Sequence, residues 1–187
     1  MEAFLVSLSA VAVAEVGDRT QLLSLMLVCC YRKPWVILGG IVASTIVNHL
    51  FAGVVGILLA SWLTPRVLDA IVAVSLMGMA GWTLVPDKEG AKPDCSSRNV
   101  FFTTLTMFFL AEMGDKTQIA TTALAAAYHN LWLVVAGSTL GLLLANAPVL
   151  FLGNAFATRL PLKTIRVVAA LIFAVLAVLF AVRAITG

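Results

Sequence analysis

Seven residues occur twice in this chain, Glu15-Val-Gly-Asp-Arg-Thr-Gln21 and Glu112-Met-Gly-Asp-Lys-Thr-Gln118. Each copy places two carboxylates, a base, a hydroxyl and an amide inside an otherwise apolar run. Every candidate ligand is an oxygen: the carboxylates of Glu15, Asp18, Glu112 and Asp115, the amides of Gln21 and Gln118, and the hydroxyls of Thr20 and Thr117. Oxygen sites suit Ca²⁺, Mn²⁺ or Mg²⁺, whereas zinc and copper draw on Cys and His, and neither lies near a motif. If the copies face each other, the four carboxylates carry a formal charge of −4, which Arg19 and Lys116 reduce to −2. One divalent cation neutralises that. A cluster that takes up protons when its metal leaves is a natural exchanger, so proton coupling is a chemical expectation of the same residues.

The surroundings make these charges expensive. Charged residues are 11% of the chain against about 25% in a soluble domain, hydrophobic residues are 61%, and the mean hydropathy is +1.05. The chain reads as an integral membrane protein. Glu2 to Cys30 would extend roughly 43 Å as one helix, so the first motif falls near the middle of a span; neither flank alone reaches the roughly 20 apolar residues a span needs. A charge at that depth costs about 2.5–3.5 kcal/mol and by default marks an ion or substrate path. A helix-end carboxylate reaching for the interface would explain one copy, but not two centred alike.

Six spans are expected: Glu2 to Cys30, Trp35 to about Leu63, about Val67 to Val85, about Val100 to Tyr128, Leu131 to about Ala157, and about Thr164 to Ile185. Residues 86–99 are the one markedly polar stretch and read as a linker between units 1–85 and 100–187. The units align at an offset of 97 residues: Glu15 with Glu112, Tyr31 with Tyr128, Trp35 with Trp132, Gly40 with Gly137, Gly56 with Gly153. Three helices per unit is an odd number, so the second copy enters from the opposite face. The predicted fold is therefore all-α, six transmembrane helices as two inverted three-helix repeats, an architecture that places a substrate site near the midplane and supports alternating access.

Small residues on the second span (Gly39, Gly40, Gly53, Gly56), the Ser75/Gly78/Gly81 series on the third, and Gly137 with Gly141 on the fifth read as close-packing stripes. Within each motif, Glu15 and Asp18 share a helix face with Leu22, and Glu112 and Asp115 repeat this. Gly17 and Gly114 invite either a local unwinding that frees carbonyl ligands or close helix packing. Asn48 and Asn146 are candidates to line the path, His49 less so; intramembrane Asn commonly just bonds between helices. Arg19 and Lys116 read as counter-charges.

Bases set the orientation. One side holds Arg32, Lys33, Lys88, Lys92, Arg98, Arg159, Lys163 and Arg166, the other Arg66 and Arg183. Eight against two puts the linker in the cytoplasm and both termini outside it. The net charge of +3 is thus a topology signal, with no nucleic-acid partner implied. The N-terminus has no basic n-region, so no cleaved signal peptide is expected. Cys29, Cys30 and Cys95 make neither a disulfide framework nor a zinc spacing, and are expected as packing and free thiols.

Two copies of Glu-hydrophobic-Gly-Asp-(Arg/Lys)-Thr, one per unit, resemble the Gdt family of Ca²⁺/Mn²⁺:H⁺ antiporters of the lysine-exporter superfamily, over essentially the whole chain. The resemblance implies a secondary transporter and not an enzyme, with Mn²⁺ or Ca²⁺ as cargo, protons and the lipid bilayer as partners, and no cofactor. It also implies that the two acidic motifs form the binding site. The chain's shortness is similar to the bacterial branch, which implies Mn²⁺ efflux across the inner membrane. Two alternatives remain at this point. An amino-acid or small-solute exporter would need recognition for a carboxylate that a −2 cluster repels. A scaffold without transport leaves four mid-membrane carboxylates unexplained.

Overall fold

In a computed structural model, described for residues 1–85, 93, 95–153 and 161–186, the chain is all-helical. Its helices are α1 Glu2–Glu15, α2 Arg19–Tyr31, α3 Pro34–Trp62, α4 Pro65–Leu84, α5 Val100–Glu112, α6 Lys116–Tyr128, α7 Leu131–Leu152 and α8 Leu162–Thr186. Four of them, α3, α4, α7 and α8, are long and apolar enough to cross a membrane. The others are half-length because each motif interrupts its helix.

The two interruptions have the same backbone. Val16 and Met113 turn extended (φ −68°, ψ 119° and φ −63°, ψ 119°), Gly17 and Gly114 adopt φ of +80° and +72°, and Asp18 and Asp115 cap the next helix (φ −81°, ψ 167° and φ −79°, ψ 165°). Only glycine takes a positive φ there cheaply. Unwinding, one of the two expected roles of these glycines, is what occurs. Glu15 and Asp18 therefore do not share a helix face, and neither do Glu112 and Asp115. The break separates each pair, because no 100° spacing survives an extended residue followed by a left-handed one.

Both units continue alike. α2 and α6 end at left-handed residues, Arg32 and His129, whose N–H groups bond back to the carbonyls of Val28 and Ala125. Pro34 then starts α3, and Asn130 caps α7 by accepting from the N–H of Leu133 at 3.1 Å. The start of α1 lies beside the end of α6: the Tyr128 hydroxyl donates to Glu2 Oε1 at 3.2 Å. At the opposite end, Cys30 at the end of α2 forms a disulfide with Cys95, just before α5. That pairing corrects the expectation of free thiols. A separation of 65 residues in sequence says nothing about two helix ends that packing brings together; Cys29 is free and exposed.

α4 and α8 pack along each other, and the pair lies against α1 and α6. Their shared core joins Leu68, Val72, Leu76 and Met79 to Phe173, Ala177 and Phe180, and to alanines of α1 and α6. A second core joins Val11, Leu27, Ile41, Phe108 and Leu142 across α1, α2, α3, α5 and α7. Close approach is built where expected on α3 and α7: a Cβ at Gly56 would strike the α6 backbone at Thr122 and Ala126, and one at Gly137 the α1 backbone at Phe4 and Leu8. On α4 the expected stripe is wrong. No described residue lies within 4 Å of a Cβ at Gly78 or Gly81, because the α4 packing face is set by Leu68, Val72, Leu76 and Met79.

The exterior is apolar, with Phe51, Leu58, Val74, Leu171 and Val175 exposed, while Glu15, Asp18, Glu112 and Asp115 are buried. Exposed Trp35, Trp62 and Trp132 sit at helix ends, as in an interfacial aromatic belt. This is the distribution of a protein solvated by lipid. The linker bases Lys88 and Lys92, much of the linker itself, Arg159 and the expected end of the fifth span lie outside the described residues.

Candidate metal site

The two breaks meet at the centre of the molecule. Carboxylate oxygens of Glu15, Asp18 and Asp115 lie within 4.8 Å of one another, all three buried. The cluster draws on both units because each break ends in the N-cap aspartate of a new helix, and the two new helices start side by side. Carboxylates also suit that position, since a helix N-terminus favours negative charge. Glu112 closes the group from the second break, near enough to Glu15, Asp115 and Asp18 to interact with their charges. Its Oε1 accepts from Thr45 Oγ1 of α3 at 3.4 Å.

The bases pair crosswise. Lys116 of the second motif forms a buried salt bridge with Asp18 of the first, and Arg19 of the first bonds Asp115 of the second at 3.1 Å. The expectation of counter-charges thus has a geometry in which each unit neutralises the other. Thr20 Oγ1 donates to Glu15 Oε2 at 2.5 Å. Thr117 faces Glu15 across the two breaks, and Glu112 Oε2 is buried with no hydrogen-bond partner among the described residues. Orphaned buried carboxylate oxygens are costly unless something positive reaches them. The donor set is what a hard divalent cation needs.

Four expected residues do other work. The Gln21 oxygen accepts from the N–H of Gly17 at 2.9 Å, and the Gln118 oxygen from Gly114 at 2.6 Å. Each glutamine thus satisfies a backbone donor orphaned by the break, and Gln21 also donates to the Ala145 carbonyl at 2.8 Å. Expected as ligands, their oxygens here cap the broken backbone. A Gly-x-x-x-Gln spacing was the available signal, since it puts an amide one turn past an orphaned N–H, in the manner of a capping box. Asn48 donates to the Phe109 carbonyl at 3.2 Å, and Asn146 accepts from Ser24 at 2.7 Å and donates to the Leu142 carbonyl at 3.1 Å. Both tie helices together. His49 is buried, its Nδ1 3.4 Å from the Thr139 hydroxyl.

One residue near the cluster was missed. Arg166, expected among the loop bases, lines a narrow crevice together with Asp18, Lys116, Gly17 and Thr83, too tight to hold a water molecule. The signal was present: Arg166 precedes Ala169, Ala170, Phe173, Ala177 and Phe180 at i+3, i+4, i+7, i+11 and i+14, so it lies on the buried stripe of α8. Moving it out of the loop count leaves seven bases against two.

A family model described as "Divalent cation/proton antiporter GDT1" matches residues 3–91 and 100–187. Among relatives, a protein named "Putative manganese exporter" from Vibrio cholerae serotype O1 is 45% identical over 179 residues, 95% of this chain and 89% of that protein. The "GDT1-like protein sll0615" of Synechocystis is 27% identical over 198 residues, 95% of this chain and 96% of its own. The "Divalent cation/proton antiporter GDT1" of Saccharomyces cerevisiae is 32% identical over 80 residues, 43% of this chain and 28% of the yeast protein. No solved structure matches.

Proposed function

The chain belongs to the GDT1 family of divalent cation/proton antiporters, and from that premise we propose that it exports Mn²⁺ in exchange for protons through a site made of Glu15, Asp18, Glu112 and Asp115. The observation that carries this reading is the buried cluster of Glu15, Asp18 and Asp115 oxygens within 4.8 Å of one another. Three carboxylates so close and out of water repel one another, and Arg19 and Lys116 offset only part of that charge. A divalent cation between them turns the repulsion into attraction. When the cation leaves, protons on the same oxygens supply the missing positive charge, so metal and protons compete for one site. All-oxygen donors suit Ca²⁺ as well as Mn²⁺; the name of the Vibrio relative favours Mn²⁺.

In this reading α1 with α2, and α5 with α6, each cross the membrane as one broken span, which gives six spans in an inner membrane with both termini outside the cytoplasm. The Glu2–Tyr128 bond and the Cys30–Cys95 bridge support the inversion of the units, since the start of each broken span meets the end of the other. The breaks then lie near the midplane, where discontinuous helices in transporters present their free termini to ions.

The test is uptake into everted or reconstituted vesicles under an imposed proton gradient, with Mn²⁺, Ca²⁺ and a panel of amino acids offered in parallel. Proton-gradient-dependent Mn²⁺ movement is expected. Movement of an amino acid without metal transport would overturn the proposal in favour of a solute exporter.

A further inference from the structure

The two broken helix pairs meet at both ends of the molecule, and the two meetings are of different kinds. At one end the Tyr128 hydroxyl of α6 donates to Glu2 of α1 at 3.2 Å, a neutral donor's bond that parts and re-forms cheaply. At the other, the last turn of α2 and the turn before α5 are joined covalently, Cys30 to Cys95. The register of 97 residues relates the two places: Tyr31, next to Cys30, matches Tyr128, and Asn99, shortly after Cys95, matches Glu2. The covalent end is also the base-rich end. Arg32 and Lys33 follow Cys30 closely and Arg98 follows Cys95, so the loop charges put this bridge at the cytoplasmic face. Thiols on that side of a membrane are kept reduced, and a disulfide formed there is as a rule transient and redox-sensing. Cys95 is exposed and Cys30 partly buried at its helix end, so a small oxidant or reductant reaches the pair through Cys95.

Resting on the transport and topology reading above, we propose that Cys30 and Cys95 form a thiol–disulfide modification site that arrests transport when oxidised. Alternating access needs the two broken spans to part at each face in turn. The Tyr128–Glu2 bond allows this at the outer face, whereas a sulfur–sulfur bond forbids it at the inner one. Oxidation takes a peroxide as co-reactant. The Cys95 thiolate attacks one peroxide oxygen, the O–O bond breaks, and a sulfenic acid and water result. The Cys30 thiol then displaces the sulfenic oxygen as a second water, so two thiols and one hydrogen peroxide give one disulfide and two waters. Reduction runs by exchange with a dithiol. One of its thiolates attacks Cys95, its second thiol resolves the mixed disulfide, and it leaves oxidised while both cysteines regain their protons. Cys30 stands roughly 18 Å along α2 from Asp18 at 1.5 Å per residue, so the bridge acts on movement and leaves the ligand set untouched.

The test is Mn²⁺ transport in everted vesicles and equilibrium Mn²⁺ binding to the purified full-length protein. Both are measured after hydrogen peroxide and again after dithiothreitol, with the bridge followed by mass spectrometry of alkylated peptides. Oxidation is expected to slow transport at least about tenfold, since a blocked conformational step limits the whole cycle. Dithiothreitol should restore it, and the Kd for Mn²⁺ should stay the same throughout. Cys30→Ser and Cys95→Ser should each transport like the reduced wild type and ignore peroxide. Cys29→Ser should keep the wild-type response, because that thiol lies outside the bridge. Equal transport by protein shown to be bridged and protein shown to be reduced would overturn the inference, as would peroxide-treated protein with no Cys30–Cys95 linked peptide. An impermeant maleimide that reaches Cys95 from outside intact cells, in a Cys29→Ser, Cys30→Ser double variant, would also overturn it, since the bridge would then be a permanent one in an oxidising compartment. Reduced wild type and serine variants that all fail to move Mn²⁺ would instead overturn the transport reading on which the inference rests.

Discussion

The first and second motifs place the same order of chemical types on the same backbone, yet they sit in unequal surroundings. Around the first, Glu15 accepts a 2.5 Å bond from Thr20, Gly17 lies under Leu162, and Asp18 pairs with a lysine whose side chain is 3% exposed. Around the second, no described residue lies against Gly114, and Asp115 pairs with an arginine whose side chain is 34% exposed. The difference comes from α4 and α8. α8 packs on α1 and α4 on α6, and among the described residues only the first break has a side chain, Leu162, set against its glycine. Duplication makes the chemistry of the two halves equal; packing makes their surroundings unequal.

The largest effects should fall on the carboxylates and should ignore the asymmetry. Glu15→Gln, Asp18→Asn, Glu112→Gln and Asp115→Asn each remove one charge and keep size. A hard cation's affinity changes over orders of magnitude with carboxylate count. Each is expected to lower Mn²⁺ transport at least tenfold while the protein still inserts, and cells relying on it should become sensitive to added manganese, alike for both halves. Full export by an Asp18→Asn, Asp115→Asn double variant would sink the site.

The bases should expose the asymmetry. Lys116→Gln leaves Asp18 charged and buried without its salt-bridge partner, a loss of about 3–5 kcal/mol. Arg19→Gln also leaves a buried carboxylate, Asp115, without this partner, but the arginine side chain is 34% exposed, so water reaches the vacated position and the loss should be smaller, about 1–3 kcal/mol. Thermal unfolding in detergent decides it. Equal losses would mean that the two breaks are buried alike in the membrane-embedded protein.

A smaller difference is expected at the glycines. Alanine at Gly17 or Gly114 must adopt a left-handed φ, at about 1–2 kcal/mol each. At Gly17 its Cβ would also come 2.6 Å from Leu162 Cδ2, adding about 1 kcal/mol of overpacking. Leu162→Ala should therefore rescue Gly17→Ala and leave Gly114→Ala unaffected, a coupling that a double-mutant cycle measures. No coupling at either position would show that α8 does not rest on the first break.

Much of the site could be read before any fold was known, though not how its parts are used. The carboxylates and bases stood out because charge inside an apolar run has few inexpensive explanations. Gln21 and Gln118 were recognised as part of the motif, but their bonds to Gly17 and Gly114 could not be foreseen, since these exist only once the break has orphaned those N–H groups. Arg166 was counted with loop bases because it lies close to Lys163 in sequence, although its spacing to Ala169, Ala170 and Phe173 placed it on the packed face. Gly78 and Gly81 met the spacing rule for close packing, yet no described residue packs against them, because larger residues on α4 claimed the interface.

What the sequence determined by itself was everything that depends on local composition and repetition. The hydropathy of each run, the two motifs with glycine at the point of rupture, and the register of 97 residues between the units are of this kind. Such properties add along the chain and need no partner. Only the tertiary structure decided which base answers which aspartate, that Cys30 finds Cys95, and that Leu162 of α8 rests on Gly17. Those are choices among contacts between segments far apart in the chain. Several pairings satisfy the same residue types, and the helices' packing selects one because two side chains cannot occupy the same space.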